Sequence, residues 1–435
     1  MAKKNWKIIQ GSICAPLGFK TGSVFCDVKT LGTGKGSNKG KKRDLAVITS
    51  SKPASVAGMF TTNQVVAAPV TLSIPRANKS QAQAVVVNSG NANACTGSQG
   101  WKDAIEMAEI TAKNLAIDNP EDVLVCSTGR IGLTLPMNNV REGIVKACQN
   151  LKDSIDSANL SARAILTSDT RPKEISIELS LSGKKIKIGG ITKGAGMIHP
   201  GMSPTGKRPY SQPLHATMLC FITTDCNIDS NTWKKAIREA VSCSFNKISV
   251  DGDMSTNDSV IGLANGLARN TKITNLNGKS GNAFLEALKF VCLELAKMIV
   301  KDGEGVTKLI KLNIQGAQSH IQADLAARAI ANSELVKTSW FGEDPNWGRI
   351  AHALGYSEAK VDVDKLDIGY SKIDAKRISY AIKGGTPTKT SLDTLRRICQ
   401  FEAFEVHCNL NLGKGKTDFY TCDLSEEYVD FNKGE

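Results

Sequence analysis

Thr217 is the residue of this sequence best suited to act as a nucleophile. It stands in Ala216-Thr-Met-Leu-Cys-Phe-Ile-Thr-Thr-Asp225, a β-strand pattern that follows the Gly-rich tract Lys193-Gly-Ala-Gly-Met-Ile-His-Pro-Gly-Met202 after a spacer. A threonine hydroxyl is a poor nucleophile while it keeps its proton, but an N-terminal threonine carries its own base, an α-amine with a pKa of about 7.7 to 8. Cleavage before Thr217 would create that group. The alternative is an ordinary buried strand after a Gly-rich turn.

Acyl transfer also needs hydrogen-bond donors that are fixed where the oxyanion forms. Thr128 and Gly129 follow the short strand pattern of residues 123–126 and offer a hydroxyl and a backbone N–H in one turn. Taken alone, the same residues fit a simple turn.

Two charged residues near glycines, Lys193 and Glu304, suit the binding of a substrate that carries both charges. Lys193 precedes Gly194-Ala-Gly196, where backbone can approach a ligand closely, so its ammonium could hold a carboxylate. Glu304 lies between two glycines at a predicted helix end, a suitable place to bind an amino group. A surface lysine and a solvated glutamate are the alternatives.

The composition argues against disulfides and metal sites. The twelve cysteines are scattered with no Cys-x-x-Cys pair, so we expect reduced, mostly buried thiols. The adjacent His407 and Cys408 alternate along a strand pattern and point to opposite faces. The acidic tract 246–258 lacks the bidentate glutamate of a calcium loop. We therefore expect no metal.

The net charge of +13 invites a nucleic-acid interpretation. Much of the excess lies in residues 35–43 and around Lys207-Arg208, which are Gly-, Ser- and Pro-rich segments with almost no aromatic side chains for stacking bases. We interpret them as solvated loops and expect no nucleic-acid partner. A basic RNA-binding protein is the alternative from another class, and it requires a steeply salt-dependent affinity.

The sequence also gives no sign of a membrane or secreted protein. It has 41% hydrophobic and 22% charged residues, no apolar run near the length of a span, and no apolar signal at its first dozen residues. We expect no membrane partner and a cytoplasmic location.

The elements that must position these residues are mixed helices and strands. Strand patterns cover residues 84–88, 123–126, 174–181 and 185–188, and helical spacing covers 101–117, 232–245 and 283–300. Near the end, residues 404–412 alternate, 413–416 turn the chain, and 417–424 form a return strand. A small α+β C-terminal domain fits this change, with candidate boundaries near 216 and near 320 to 330.

Eight stretches in order carry a family resemblance. The sequence resembles the ornithine acetyltransferases (glutamate N-acetyltransferases) of arginine biosynthesis along nearly its whole length. The matching stretches are residues 54–63, 88–97, 127–132, 193–200, 216–225, 250–253, 302–305 and 344–349.

The resemblance implies a precursor that cleaves itself between Ala216 and Thr217. The fold implied is a mixed α/β sandwich, shared with the DmpA-type self-cleaving aminopeptidases, with a smaller C-terminal α+β domain. Residues 1–216 would form the α chain with the oxyanion hole and Lys193, residues 217–325 the main part of the β chain, and residues 326–435 its small domain. Two α and two β chains would form a heterotetramer.

The resemblance further implies acetyl transfer from N2-acetylornithine to glutamate through acetyl-Thr217, without a cofactor. It leaves open whether acetyl-CoA also serves as acetyl donor. A self-processed amidase or aminopeptidase of the same fold is the alternative. The implied residues are Thr217 as nucleophile, Thr128 and Gly129 as oxyanion pair, and Thr167, Lys193, Thr217, Glu304 and Asn432 as substrate contacts.

The sequence departs from the family pattern in three places. Residues 203–215 intervene before the cleavage motif, and we expect a surface excursion there because it holds three prolines and no apolar period. Met254 replaces the usual threonine. The family usually continues past the asparagine to a tyrosine and a terminal threonine, whereas this sequence reads Asn432-Lys-Gly-Glu435, so we expect that one substrate contact is missing or replaced.

Overall fold

A computed structural model describes residues 5–29, 42–207 and 218–433 of the chain. Within these residues, nine strands form a large sheet: β1 (Trp6–Ile9), β2 (Phe19–Val24), β3 (Leu45–Phe60), β4 (Gln81–Asn91), β5 (Val123–Arg130), β6 (Lys173–Leu181), β7 (Lys184–Lys193), β8 (Leu219–Thr224) and β9 (Ser259–Ala264). Their order is β1-β6-β7-β8-β9-β3-β4-β5, and β2 pairs with β3 outside this path. The predicted hairpin is β6 and β7.

The long strand β3 belongs to two layers. Its first half pairs with β2 up to Ser50 and with β4 up to Thr49. After a break, Ala54 and Ser55 pair with β4 again, and from Ser55 the second half pairs with β9. The pairing with β4 shifts register between Thr49 and Ala54, and residues 51–53 between them are exposed. The sheet therefore bends at this point, so that β2, β4 and β5 face the layer that contains β7, β8 and β9.

Six helices of the described part of the chain accompany these strands: α1 (Ala68–Ala77), α2 (Gly97–Leu115), α3 (Met137–Gln149), α4 (Ile155–Ala164), α5 (Ser230–Ser242) and α6 (Lys279–Lys301). The predicted helices correspond to α2, α5 and α6. The Asp229 carboxylate begins α5 by accepting the N–H groups of Asn231 and Thr232, which is N-capping. The apolar residues of α6 that recur at three- and four-residue steps are all buried.

Alternate residues of the strands face different cores. Val85 and Val87 of β4 pack with Phe221 of β8 in a cluster between the two layers. Val86 instead joins an outer cluster with α2 and α3, and Ile222 joins the opposite outer cluster with α5 and α6. The layers therefore run helix, sheet, sheet, helix. This confirms the predicted mixed α/β sandwich.

A second sheet follows in the last third of the chain. Its strands are β10 (Leu309–Ala317), β11 (Asp367–Lys372), β12 (Ser379–Lys383), β13 (Thr386–Pro387), β14 (Ala403–Asn409) and β15 (Gly415–Cys422), in the order β13-β12-β11-β14-β10-β15. The helices of this part are α7 (His320–Ala331), α8 (Glu334–Phe341), α9 (Trp347–Tyr356), α10 (Leu392–Cys399) and α11 (Glu426–Asn432).

The strand pairing expected for this part needs correction. β14 and β15 were expected to form a hairpin, but β10 lies between them, parallel to β14 and antiparallel to β15. β10 also places the start of the second sheet before the expected boundary, and the cut between residues 325 and 326 falls inside α7. The boundary at 216 lies outside the described residues.

The spacer before Thr217 is only partly described. Ser203 is buried, and its backbone exchanges two hydrogen bonds with Phe60, at 2.8 and 2.9 Å. The expected surface excursion therefore does not begin at Ser203, because that residue is paired to the end of β3. Residues 208–215 and most of the basic segment 35–43 lie outside the described residues.

The described residues include all twelve cysteines, and none forms a disulfide. Nine of them are buried, as expected, while Cys95 and Cys243 are exposed. In the described ranges, no helix has the length and apolar character that crossing a membrane requires.

Candidate active site

Several strand ends meet where the expected nucleophile joins the fold. Lys193, the last residue of β7, pairs with Leu219 at the start of β8, and β9 begins beside it with Ser259. Met218 precedes β8, and its N–H is hydrogen-bonded to the carboxylate of Asp258, which precedes β9. Ala216 and Thr217 lie outside the described residues. The described chain resumes at Met218, at this edge of the sheet.

Lys193 and Thr128 come together at this edge, although their strands are far apart in the sheet. The Lys193 ammonium lies 3.4 Å from the Thr128 hydroxyl and 3.9 Å from Asp169 Oδ2. Both side chains are almost fully buried. Burial lowers the pKa of Lys193, and the nearby Lys173 lowers it further, while Asp169 opposes the shift. An ammonium held in so little water interacts strongly with any anion that enters.

Gly129 has a backbone that only glycine adopts comfortably. Its φ is +130°, and a Cβ atom there would lie 2.3 Å from the carbonyl carbon of Gly90 in the neighbouring strand β4. Thr128 and Gly129 were expected to follow a strand that ends at residue 126. They are instead paired within β5, which continues to Arg130. The strand pairing holds this backbone rigidly, as oxyanion stabilisation requires.

A buried charge network lies behind Lys193. The Lys173 ammonium donates to Asp169 Oδ1 and Asp302 Oδ2, both at 2.5 Å, and all three side chains are at most 2% exposed. Asp169 also accepts the N–H of Gly194 at 2.7 Å. Burial opposes the ionisation of Asp169, but Lys173, Lys193 and the Gly194 amide together hold its pKa below the usual value.

The same network fixes Thr167. Its backbone N–H donates to Asp169 Oδ2 at 3.0 Å, so the predicted contacts Thr167 and Lys193 share one carboxylate. On the other side, Thr170 donates its N–H to Asp302 Oδ2 at 3.1 Å, and its hydroxyl contacts Asp302 Oδ1.

Glu304 joins the site through the loop after α6. Its N–H donates to the carbonyl of Ala195 at 3.0 Å, and its carboxylate lies over Gly196, where a Cβ would stand 2.4 Å from Oε1. Asn432 donates its amide N–H to Glu304 Oε2 at 3.1 Å from the exposed helix α11. The structure thus brings together Thr128, Gly129, Thr167, Lys193, Glu304 and Asn432 of the predicted residues.

The acidic tract 246–258 has a structural role here. Asp251 accepts the N–H groups of Met197 and Ile198, at 2.5 and 2.8 Å, and so shapes the Gly-rich loop after Lys193. Burial raises the pKa of Asp251 to about 6. No group of three or more metal-ligating side chains occurs among the residues the structure covers.

Sequence reasoning missed Asp169, Lys173, Asp302 and Asp258 as parts of the site. Asp302 lies inside a stretch that the family resemblance marked, two residues before Glu304, and Asp169 lies two residues after the predicted contact Thr167. Lys173 begins a strand after Arg171-Pro172 and looks like a solvated lysine. Its burial depends on tertiary packing, and spacing gives no signal for it.

Comparisons with known proteins agree with the resemblance. The model of the ArgJ family matches residues 29–434. The chain is 45% identical over 404 residues to the arginine biosynthesis bifunctional protein ArgJ 1 of Clostridium acetobutylicum, covering 93% of this chain and 94% of that protein. It is 43% identical over 432 residues to the glutamate N-acetyltransferase of Methanocaldococcus jannaschii, covering 98% of both.

Solved structures are similar as well. The crystal structure of the arginine biosynthesis bifunctional protein argJ from Bacillus halodurans has 37% identity and a TM-score of 0.46, and the match covers 49% of this chain and 97% of that one. Ornithine acetyltransferase of Mycobacterium tuberculosis, solved with ornithine, has 31% identity and a TM-score of 0.41, covering 46% of this chain and all of that one. By the extent of the family match and of the sequence identity, this chain belongs to the ArgJ family of arginine biosynthesis enzymes.

Proposed function

We propose that this enzyme transfers the acetyl group of N2-acetylornithine to glutamate through an acetyl ester on Thr217. The observation that carries the proposal is the buried Lys193 ammonium, 3.4 Å from the Thr128 hydroxyl, with the Glu304 carboxylate on the adjoining loop. The proposed site thus holds the cationic Lys193 and the anionic Glu304 near the proposed oxyanion pair. The similarity to the glutamate N-acetyltransferase of Methanocaldococcus jannaschii supports the same reaction.

The charges suit the substrate. N2-acetylornithine carries a carboxylate, an amide carbonyl and a cationic side-chain amine. Lys193 pairs with the carboxylate, and Glu304 binds the amine through charge-assisted hydrogen bonds. The proposal includes Asn432 and Thr167 as further substrate contacts, and it is supported by the hydrogen bond of Asn432 to Glu304 and by the Asp169 carboxylate that Thr167 shares with Lys193. Glutamate uses the carboxylate site without a cation at Glu304.

The chemistry has two halves. The Thr217 hydroxyl gives its proton to the free α-amine of the same residue and attacks the acetyl carbonyl carbon. The oxyanion is stabilised at Thr128 and Gly129, and its collapse expels ornithine, whose nitrogen takes the proton. The amine of glutamate then attacks acetyl-Thr217, and the ester bond breaks to release acetylglutamate and restore the hydroxyl. The mechanism is ping-pong.

This mechanism requires a free N-terminus at Thr217. We therefore infer self-cleavage between Ala216 and Thr217 into α and β chains, and assembly as two α and two β chains. The reaction needs no cofactor or metal. Acetyl-CoA as a second acetyl donor is a separate proposal, tested by acetylglutamate formation from acetyl-CoA in the absence of acetylornithine.

Mass spectrometry of the purified protein tests the proposal. We expect chains of 216 and 219 residues, the second beginning at Thr217, and one added acetyl group on that chain after incubation with N2-acetylornithine alone. Adding glutamate should remove the acetyl group as acetylglutamate. Release of free acetate at a rate independent of glutamate would identify an amidase instead. Absence of the acetylated chain under all conditions would refute the covalent mechanism.

A further inference from the structure

The side chain of Asn257 connects two strands that are far from it in the sequence. Asn257 lies two residues before β9 and is 3% exposed. Its amide Nδ2 donates to the carbonyl of Ala92 at 2.6 Å and to the carbonyl of Ser127 at 2.9 Å. Ala92 directly follows β4, and Ser127 lies in β5, immediately before the proposed oxyanion pair Thr128 and Gly129. One buried amide thus bonds the main chain of both strands beside this pair.

The Asn257 amide is itself held in place. The Thr256 hydroxyl donates to Asn257 Oδ1, which leaves the two N–H groups of Nδ2 for the two carbonyls. The main-chain N–H of Asn257 donates to Ser255 Oγ at 3.0 Å, and its carbonyl accepts the Ser259 hydroxyl at 3.1 Å. The Thr61 hydroxyl, just after β3, donates to the carbonyl of Ser255 at 2.8 Å. The surrounding chain therefore fixes where this donor group lies.

The pairing of β5 with β4 is irregular at the oxyanion pair. Within the described residues, β5 is the outermost strand of the large sheet, with β4 on one side. The register shifts between Gly90 and Asn91, and Asn91 lies opposite both Thr128 and Arg130. Gly129, between these two, has a φ of +130°. An outer strand with a register shift has fewer ladder hydrogen bonds to hold its main chain, so side-chain hydrogen bonds contribute more of the support here.

A bond to the Ser127 carbonyl orients a whole peptide group. That carbonyl and the N–H of Thr128 belong to one planar unit, so the Asn257 amide determines how the unit is turned about the strand. Its orientation in turn decides where the Thr128 hydroxyl and the following Gly129 N–H point. An oxyanion is stabilised by donors that are aimed at it before the reaction, and a misplacement of about 1 Å can cost about 100-fold in rate.

We propose that Asn257 is a positioning residue of acetyl transfer, which holds the Ser127 carbonyl so that Thr128 and Gly129 point at the oxyanion. The inference rests on the proposed function, which assigns the oxyanion pair. Asn257 acts through the main chain and not on the substrate, so the substrate carboxylate still binds at Lys193 when Asn257 is replaced. The expected signature is a fall in kcat with KM nearly unchanged.

Asn257→Leu removes the donor and keeps the branching of the side chain. The matched control is Asn270→Leu. Asn270 is 4% exposed, and its Nδ2 also donates to two main-chain carbonyls, those of Asn227 at 3.1 Å and Thr271 at 2.8 Å. It follows the end of β9, whereas the candidate site lies at the start of that strand. Both substitutions leave two buried carbonyls without this donor, so the two proteins should lose similar stability. Turnover then separates them.

Steady-state kinetics of acetyl transfer from N2-acetylornithine to glutamate provide the readout, with turnover expressed per mature β chain counted by mass spectrometry. We expect Asn257→Leu to lower kcat about 100-fold and to change KM less than about threefold. Asn270→Leu should keep wild-type kinetics, and thermal melting should show a similar loss of stability for both variants. Asn257→Asp fits the same space and donates at most one hydrogen bond, so its kcat should be intermediate.

A double variant tests whether Asn257 acts through the oxyanion pair. Thr128→Ala already removes one of the donors that Asn257 aims. Adding Asn257→Leu to it should therefore lower kcat by less than the product of the two single losses. A loss equal to that product would overturn the proposal, because Asn257 would then act independently of Thr128.

Other results would overturn it as well. These are a kcat of Asn257→Leu near that of wild type, a rise in KM in place of the fall in kcat, and an equal fall in kcat for Asn270→Leu. If both Asn257 variants gave no mature chains while Asn270→Leu did, Asn257 would serve folding or processing instead. A wild type that releases acetate without transferring it would refute glutamate as the acceptor, and the same comparison of variants would then be decided on acetate release. A wild type with neither activity would refute both proposals.

Discussion

Replacing Lys173 by methionine tests the buried network directly. Lys173 is 1% exposed and bridges Asp169 and Asp302, which are 0% and 2% exposed, at 2.5 Å each. Removing one partner of a buried ion pair leaves an uncompensated charge and typically costs about 3 to 5 kcal/mol. Arg171 lies 3.6 Å from Asp302 and relieves part of this cost. We therefore expect the lower part of that range for Lys173→Met.

The loss should depend on pH with a definite sign. Asp169 has a folded-state pKa below its ordinary value of 3.8, so its ionised form contributes stability above that pH, and the contribution disappears as the pH falls through the folded-state pKa. In the Lys173→Met variant, the burial of Asp169 is less compensated and its pKa rises. Mild acidification then protonates Asp169 and removes the cost of its uncompensated charge. The gap between wild type and Lys173→Met should thus be largest near pH 7 and shrink toward pH 4.

Denaturant unfolding at several pH values measures this gap. The matched control is Lys146→Met, which breaks the exposed pair of Lys146 and Glu142, 3.1 Å apart, and should leave the unfolding midpoint nearly unchanged. A second readout is catalytic. Lys193 lies 3.9 Å from Asp169, and without Lys173 it should pair more closely with that carboxylate. Lys193 would then bind the substrate carboxylate less well, and KM should rise. If Lys173→Met were as stable as Lys146→Met at every pH tested, the buried network would not be a source of stability.

Three further variants probe the site. Thr128→Ala should lower kcat about 100- to 1,000-fold with little change in KM, since an oxyanion donor acts mainly in the transition state, and an equal rise in KM would assign it to ground-state binding instead. Gly129→Ala adds a Cβ 2.3 Å from Gly90 at a φ of +130° and should cost about 1 to 3 kcal/mol in unfolding free energy; an unchanged midpoint would contradict the rigid strand pairing. Glu304→Gln should raise KM for N2-acetylornithine about tenfold to hundredfold and leave that for glutamate nearly unchanged, whereas equal changes would show that Glu304 supports Lys193 rather than the ornithine cation.

The elements with strong local periodicity could be predicted from the sequence. α6 has apolar residues at three- and four-residue steps over its length, and β6 and β7 alternate strictly on both sides of a Ser-Gly turn. In such segments the local pattern and the tertiary burial agree. Their boundaries differ from prediction by a few residues, because caps and sheet pairing set the ends.

The pairing of β14 and β15 could not be predicted in the same way. The two strands are separated by a short glycine-rich turn, which favours a hairpin. β10, nearly a hundred residues earlier, enters between them and uses both of their edges. Its sequence, Leu309-Ile-Lys-Leu-Asn-Ile314, alternates and fits a strand. The sequence did not indicate which strands pair with β10, because that pairing depends on long-range packing.

The candidate site also contains some residues that could be predicted from the sequence and others that could not. Residues in unusual tracts, such as Lys193 and Glu304, were identified from composition, and the structure brings them together. Asp258 ends an acidic tract that sequence reasoning tested as a calcium loop and marked only at residues 250–253 for the family resemblance. Nothing in its spacing indicates that one carboxylate oxygen accepts the Met218 amide while the other lacks a partner in the described structure. That property arises from the parallel pairing of β8 and β9.

The topology explains how a chain cut before Thr217 can remain one folded unit. Strands β8 and β9 belong to the part after the cut, yet they lie between β7 and β3 of the part before it. β8 pairs with β7 over six residues, and β9 pairs with β3 over six more. The cluster between the layers also mixes both parts, since Phe221 and Ile261 pack with Val85 and Val87. Separating the fragments would break both pairings and expose this apolar surface to water, which is the dominant cost of unfolding. The proposed cleavage would therefore create a new N-terminus at the candidate active site without releasing either chain from the fold.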